Sequence, residues 1–442
     1  MARAVGSGKA WRRYWWLYTL GLGVVALALA STMRRPPSEQ ARPDPLLKLD
    51  SRMVAVKELI VAGDLPAAAT KFRATYRLDG SKGFSALRQF SMLVLERGLG
   101  DKDPFERYFA ASALAKGGNY QGVDLLARGI RANPDLSLKM AAADGLADAG
   151  DAYAVGVLQK LYFAAGPFDR RIVAEAMCDA TDPTAITVLS DAAGGPDQSL
   201  RLAGLQGLGK LGNPAAAPLL RRVMTSDAAP IERAMAATSL LKFGESVELG
   251  PIESILTDSR NGNARPVAAL ALGYANDPRV VPILKRALSD DDLDVRIGAA
   301  ASLTHYQEPA GAAYLKQTMN DMDDTVSRQH VGQVMDQIGF TGGYEVLIAA
   351  IGATDPNLQM SGIRALGLVG GQKELELLTA MLPHTTDPLM RAQIAWSIGR
   401  IGKARGIETL IAMVQEEDPA VRYTASDALD VTAQRLLAAA QS

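Results

Sequence analysis

A basic residue that returns every 31 or 32 positions constrains this chain more than any other feature. It stands at Arg107, Lys139, Arg170, Arg201, Arg233, Arg265, Arg296, Arg328, Arg391 and Arg422, with Gln359 in the one gap. Seven residues after each anchor the side chain is always apolar, from Leu114, Leu146 and Met177 through to Ile398 and Leu429. Four residues after it the side chain is usually small, as at Ala111, Ala143, Ala237, Ala269, Ala300 and Ala395. Offsets of four and seven share one helical face. Four residues before the anchor stands an aspartate in eight of eleven units, for example Asp103, Asp197, Asp292 and Asp387. Its carboxylate suits the free amides of a first helical turn. Proline often follows, as at Pro104, Pro356, Pro388 and Pro419, where no amide hydrogen is needed. Eleven residues after the anchor glycine stands in seven units, including Gly118, Gly150, Gly212 and Gly402, and supplies a left-handed stop. A second apolar run comes next, such as the one from Ala215 or the one from Arg279. Each unit therefore reads as helix, glycine turn, helix, short loop, and nothing reads as a strand.

One such hairpin cannot bury its own apolar face, so the units must stack on one another. The expected fold is all-α, a right-handed α-solenoid of about eleven hairpins over residues 102–442. Without the repeat, 442 residues would suggest two or three globular domains. The last unit has no glycine turn and carries Asp430, Gln434 and Arg435 where earlier units are apolar or small, as a polar end cap would. Residues 47–101 hold further helices out of register, including a run from Ala62 that resembles a tetratricopeptide hairpin, and read as the other cap. An apolar content of 48% excludes a mostly disordered chain. A single cysteine excludes an intramolecular disulfide framework and a cysteine-rich zinc module. With 47 basic against 48 acidic side chains, no nucleic-acid partner is expected.

Ahead of the repeats, residues 14–33 are uncharged and follow Arg3, Lys9, Arg12 and Arg13. Twenty residues in a helix span roughly 30 Å, the thickness of a bilayer core. Two readings stay open for residues 1–33: an uncleaved signal anchor, with Trp11, Tyr14, Trp15, Trp16 and Tyr18 as an interfacial belt, or a signal peptide cut near Ala30. Both keep the N-terminus cytoplasmic and place the rest outside, in the cell envelope on the periplasmic side. Residues 34–46 hold four prolines and read as an extended linker. Membrane attachment through 14–33 is expected only if that segment is retained.

The string D-P-x-x-R, small residues, L-G-x-x-G and then P-x-L-x-x-x-L, seen at Asp387, Asp418 and Leu208–Pro214, resembles the HEAT repeats of the phycobilisome-lyase type. The resemblance covers the whole stack. It implies the solenoid fold and, between neighbouring units, a ladder of Asp–Arg contacts. It leaves function open, because such proteins include chromophore lyases, metal hydroxylases and scaffolds.

No chemistry rises above this background. Gly207, Gly209 and Gly212 match G-x-G-x-x-G, but they end a helix rather than open one after a strand. His305, His330 and His384 are non-equivalent, no His-Glu pair exists, and Cys178 reads as a small buried hydrophobe. No catalytic residue and no cofactor are expected. A weak cation alternative rests on two acidic loops, with Asp291 and Asp294 in one and Asp321 and Asp323 in the next. Trp396 reads as core filler. Taking the second helix of each unit as the concave wall, Arg221, Arg222, Lys285, Arg286 and Lys316 form a basic stretch that would bind a protein or peptide. The expected function is a non-catalytic interaction scaffold of the envelope. The alternatives are a HEAT-like lyase or other enzyme and a chaperone-like holder of exported clients.

Overall fold

A computed structural model describes residues 49–321 and 348–441, apart from positions 151, 179, 181 and 349. Among the described residues every regular element is helical. Three helices lead: α1 (Val54–Ala62), α2 (Leu65–Thr75) and α3 (Gly80–Gly98). The repeats then run α4 (Pro104–Lys116), α5 (Tyr120–Ala132), α6 (Leu136–Ala149), α7 (Ala152–Ala164), α8 (Pro167–Met177), α9 (Ile186–Ala193) and α10 (Gln198–Leu211). They continue α11 (Ala217–Thr225), α12 (Pro230–Lys242), α13 (Leu249–Thr257), α14 (Ala264–Gly273), α15 (Val281–Ala287), α16 (Leu293–His305) and α17 (Pro309–Asp321). The last described helices are α18 (Pro356–Val369), α19 (Gln372–Met381), α20 (Pro388–Ile401), α21 (Ile407–Met413) and α22 (Pro419–Gln441). From α4 onward the even-numbered helices carry the anchors, and the odd-numbered ones follow the turns. The apolar run 14–33 and the linker 34–46 lie outside the described residues. Among the described residues no helix is long and apolar enough to cross a membrane.

The caps form as the sequence dictates. Asp103, Asp135, Asp197, Asp292, Asp387 and Asp418 each accept a hydrogen bond from an amide in the first turn of their helix. The left-handed stop holds even where glycine is absent. Gly118, Gly150, Gly212, Gly244, Gly370 and Gly402 have positive φ, and so do Asn276 and Gln307 at the equivalent offset. The stack imposes that backbone conformation, and Gln307 adopts it against its own steric preference.

Among the described residues, four anchor arginines take backbone carbonyls where the resemblance implies the capping aspartates. Arg107, Arg201, Arg296 and Arg422 donate instead to backbone carbonyls five and six residues upstream, such as Asp101 and Lys102 or Gly195 and Pro196. Each guanidinium thereby satisfies the loop that leads into its own helix. Several also reach an acid about one unit further on: Arg201 to Glu232 at 2.9 Å, Arg391 to Glu416 at 2.5 Å, and Arg265 to Asp290. The capping carboxylates are occupied by amides of their own helix, so the arginine finds other acceptors.

The described residues divide into two compact units. One joins residues 49–154 to 366–441; the other holds 155–365. In the second unit the anchor helices α8, α10, α12, α14 and α16 pack one against the next, whereas the post-turn helices α9, α11, α13 and α15 touch one another marginally at most. In a curved stack the crowded layer is the inner one. Helices α9, α11, α13 and α15 also pack more broadly on the anchor helix after them than on the one before. The packed hairpin is therefore offset by one helix from the unit read in the sequence.

Glycine makes the crowding possible. A Cβ at Gly273 would lie 2.5 Å from Ser302 Oγ on the next anchor helix. Ser302 Oγ donates to Ala269 O at 2.8 Å, so the two helices are hydrogen-bonded where they meet. Gly209 faces Ser239 in the same way, and Gly367 faces Ser397.

The first unit corrects the reading of two separate end caps. Helix α22 packs broadly on α3 as well as on α20, and Met92, Leu95, Ala110, Leu114 and Tyr423 share one buried cluster. The polar residues of the last repeat face this junction. Asp430 is 2% exposed and pairs with Arg88 at 3.0 Å; Gln434 donates to Asp430, and Arg435 to the Arg400 carbonyl. Tyr423 donates to Asp101 at 2.9 Å, and Arg73 meets Glu408 at 2.9 Å. The sequence pattern marked these residues as departures from the repeat. It carried no sign that the partners of Asp430 and Tyr423 lay more than three hundred positions upstream.

Candidate functional site

The open face of the anchor helices is set by helical period. Offsets of two, five and nine from the anchor fall together on each helix, and on α12 these are Met235, Thr238 and Lys242, all half-buried between fully buried neighbours. On α14 they are Val267, Leu270 and Tyr274, and on α10 Gln206 and Lys210 are the open ones. The residue nine past the anchor is the last before the turn. Among the described residues it reads Lys116, Asp148, Lys210, Lys242, Tyr274, His305, Leu368, Arg400 and Val431. Through Arg400 all but Leu368 are ionisable.

In the first unit these groups neutralise one another. Lys116 pairs with Asp148 and lies 3.4 Å from Asp427. Burial works against its charge, but the two carboxylates outweigh it and hold the ammonium above its usual range. Burial pushes the Asp427 carboxyl up despite Lys116. It also pushes Asp430 up, to about 6. Arg400, packed over Trp396, is drawn down to about 10 by burial and by Arg435, while Asp148 and Asp427 pull the other way. Trp396 is half-buried beneath that guanidinium rather than in the core.

At the same offset in the second unit stand Lys210, Lys242, Tyr274 and His305. Lys242 Nζ sits 4.8 Å from the centre of the Tyr274 ring. Burial and then the like charge of Lys210 hold its ammonium down at about 8. Burial raises the Tyr274 hydroxyl to about 12. His305 packs between Tyr274 and Tyr306, with ring centres 6.0 and 6.1 Å away.

The residues singled out from the sequence fall elsewhere. Arg221 and Arg222 are on α11, Lys285 and Arg286 on α15, and Lys316 on α17, all post-turn helices of the outer, splayed layer rather than the expected concave wall. Arg221 is paired with Glu245, and Lys285 with Glu308 at 2.8 Å; Arg222, Arg286 and Lys316 are exposed. The structure does not bring these helices together. A polar cleft of about 770 Å³ opens nearby, between the loop 244–250 and residues Tyr274 to Arg279. Its Glu245 is engaged by Arg221, and its Asp277 by Arg279.

Asp290 of the first acidic loop is paired with Arg265, and Asp292 caps α16; Asp291 is exposed and Asp294 half-buried in the first turn. Asp323 and the side chain of Asp321 lie outside the described residues, as does His330. Among the described residues no group of three His, Cys, Asp or Glu side chains is placed to hold a metal. His384 is exposed, and Cys178 is buried with Sγ 3.1 Å from the Ala203 carbonyl. The three glycines of the literal G-x-G-x-x-G answer to packing: Gly207 abuts Leu189, Gly209 abuts Ser239, and Gly212 is a left-handed cap.

A model of HEAT repeats matches residues 167–241, 250–336, 315–398 and 383–435, together more than half of the sequence. The chain belongs to the HEAT-repeat family. Among curated proteins it is similar to an uncharacterized phycocyanin operon protein Z of Pseudanabaena tenuis, 26% identical over 176 residues, which are 39% of this chain and 75% of that protein. Among solved structures it is similar to the complex of CpcE and CpcF of phycocyanin lyase from Nostoc, at 19% identity and a TM-score of 0.38, over 60% of this chain and 94% of that one. It is also similar to human deoxyhypusine hydroxylase, at 17% identity and a TM-score of 0.28, over 56% of this chain and 96% of that one.

Proposed function

We propose that this HEAT-repeat protein is a non-catalytic scaffold that holds a protein partner against the open face of its anchor helices, outside the cytoplasm. One observation supports the first part above all. On the neighbouring inner helices α12 and α14 the same three offsets are left half-buried, a chemically mixed wall rather than one converging set of acids and bases. Extended walls of this kind suit long partner segments. The export half of the reading rests on Arg3, Lys9, Arg12 and Arg13 ahead of the apolar run 14–33.

Photo-crosslinking in cells tests the scaffold. A probe at Thr238, on the open face, is expected to capture one protein partner, and a probe at Arg222, on the outer layer, is not. Capture only from Arg222, or capture of no protein from either position, overturns the reading. A lyase-like role predicts something different, a small chromophore rather than a protein on the Thr238 probe. Location is tested by intact mass after fractionation. Retention of residues 1–33 in the membrane fraction, or cleavage near Ala30 in the soluble envelope fraction, agrees with export. A full-length chain recovered only from the cytoplasm does not.

A further inference from the structure

We infer that Arg400, at the end of α20, and Arg435, on α22, form a binding site for a single carboxylate of a partner segment, with Trp396 as its aromatic floor. The inference rests on the scaffold reading and names the chemistry of the open face in the first unit.

On α20 the offsets of two, five and nine are Gln393, Trp396 and Arg400, the positions of the open face. The charges at this end of the helix do not balance. Four cations, Arg88, Lys116, Arg400 and Arg435, share it with three carboxylates, Asp148, Asp427 and Asp430. Asp430 is closed by Arg88, and Asp148 and Asp427 by Lys116. Arg400 has Arg435 as its like-charged neighbour, and Asp148 and Asp427 attract it without closing an ion pair among the described residues. Arg435 donates to the Arg400 carbonyl, and among the described residues it forms no ion pair either. Arg400 Nε is buried without a hydrogen-bond acceptor. Both side chains are half-buried, and like charges are costly to keep together there. One carboxylate between them evens the count, and a guanidinium offers it paired donors. A doubly charged phosphate would overshoot that balance. Gln393, on the same face, is 3% exposed, and its Nε2 is buried without an acceptor. The unmet donors of Gln393 and Arg400 thus flank Trp396, about 10 Å apart along the helix. An extended chain covers about 10 Å in three residues. A segment with its acid at Arg400 and a backbone carbonyl at Gln393 therefore fits the face better than a free ion.

The probe is a fluorescent synthetic peptide with one glutamate among alanine and leucine, titrated onto the full chain beside the same peptide carrying glutamine instead. The glutamate peptide is expected to bind about tenfold or more tightly than the glutamine peptide, and to weaken with salt. Arg400→Gln is expected to erase that difference. Its melting temperature is expected to stay level, since the remaining cations and carboxylates balance. Arg222→Gln with Arg286→Gln on the outer layer is expected to leave binding within about twofold. Phenylglyoxal modification of Arg400, followed by peptide mass spectrometry, is expected to slow when the glutamate peptide is bound. Equal binding of the two peptides to the parent overturns the inference. So does undiminished preference in Arg400→Gln, or equal loss in the outer-layer variant. A protein captured at Thr238 without any binding of the glutamate peptide would sink the carboxylate site and leave the scaffold standing. Arg400-dependent peptide binding without a captured protein would do the reverse.

Discussion

Arg88→Met is expected to destabilise the first unit by about 3 kcal/mol at pH 7.5, because it strands a buried carboxylate. Arg88 is the cation that holds Asp430, whose side chain is 3% exposed, and it also donates to the Gly117 carbonyl. Without it the carboxylate keeps Gln434 as a donor and still feels the repulsion of Asp427. The pH dependence has a definite sign. Burial already raises the folded-state Asp430 to about 6, from an unfolded value of 3.8. The folded state therefore holds this proton more tightly. The stability this group contributes is largest below about pH 4 and is lost as pH rises through 6. That rise corresponds to about 3 kcal/mol. Losing Arg88 moves the folded value higher still, so the variant is expected to recover most of its deficit at pH 5, relative to the parent at the same pH. Urea melts at pH 5 and pH 7.5 check this. An equal deficit at both would show that the lost Arg88–Gly117 bond or lost packing, not the Asp430 charge, carries the effect.

Gly273→Val is expected to cost about 3 kcal/mol in the second unit, at the upper end for overpacking. The nearest obstacles are Ser302 Oγ at 2.5 Å, its Cβ at 3.0 Å and its Cα at 3.2 Å. Ser302 is fully buried and tied to the Ala269 carbonyl, so it cannot turn aside. The added methyl groups must therefore part α14 from α16. A second pair of variants isolates the cause. Gly273→Ala with Ser302→Gly is expected to be more stable than the sum of the single changes allows, because one removal makes room for the other addition. Strict additivity in thermal melts would mean that helix propensity, rather than close approach, explains the glycine.

The helices, their caps and their stops were legible in the sequence because they are local. Asp at minus four, Gly at plus eleven and apolar residues at plus seven each act within one or two turns, and the structure places helix ends where they imply. The inner wall was equally present in the sequence, as an ionisable residue at plus nine in each of the first seven units, and is found by asking which offset stays ionisable. The order of helices along the chain does not decide which layer is concave. That is a packing question. Small residues on the anchor helices, Gly209 and Gly273 among them, let that layer close up, and the other layer spreads.

The sequence by itself determined the repeat, the all-helical class and the family, since each depends on patterns no longer than one unit. Tertiary structure alone decided that Asp430 and Asp427 meet Arg88 and Lys116, that Lys116 is neutralised while Lys242 faces Lys210, and that the arginines of α11 and α15 lie on the outer layer. These are relations between residues far apart along the chain. A charge says nothing of its partner until packing fixes the distance and removes the water between them.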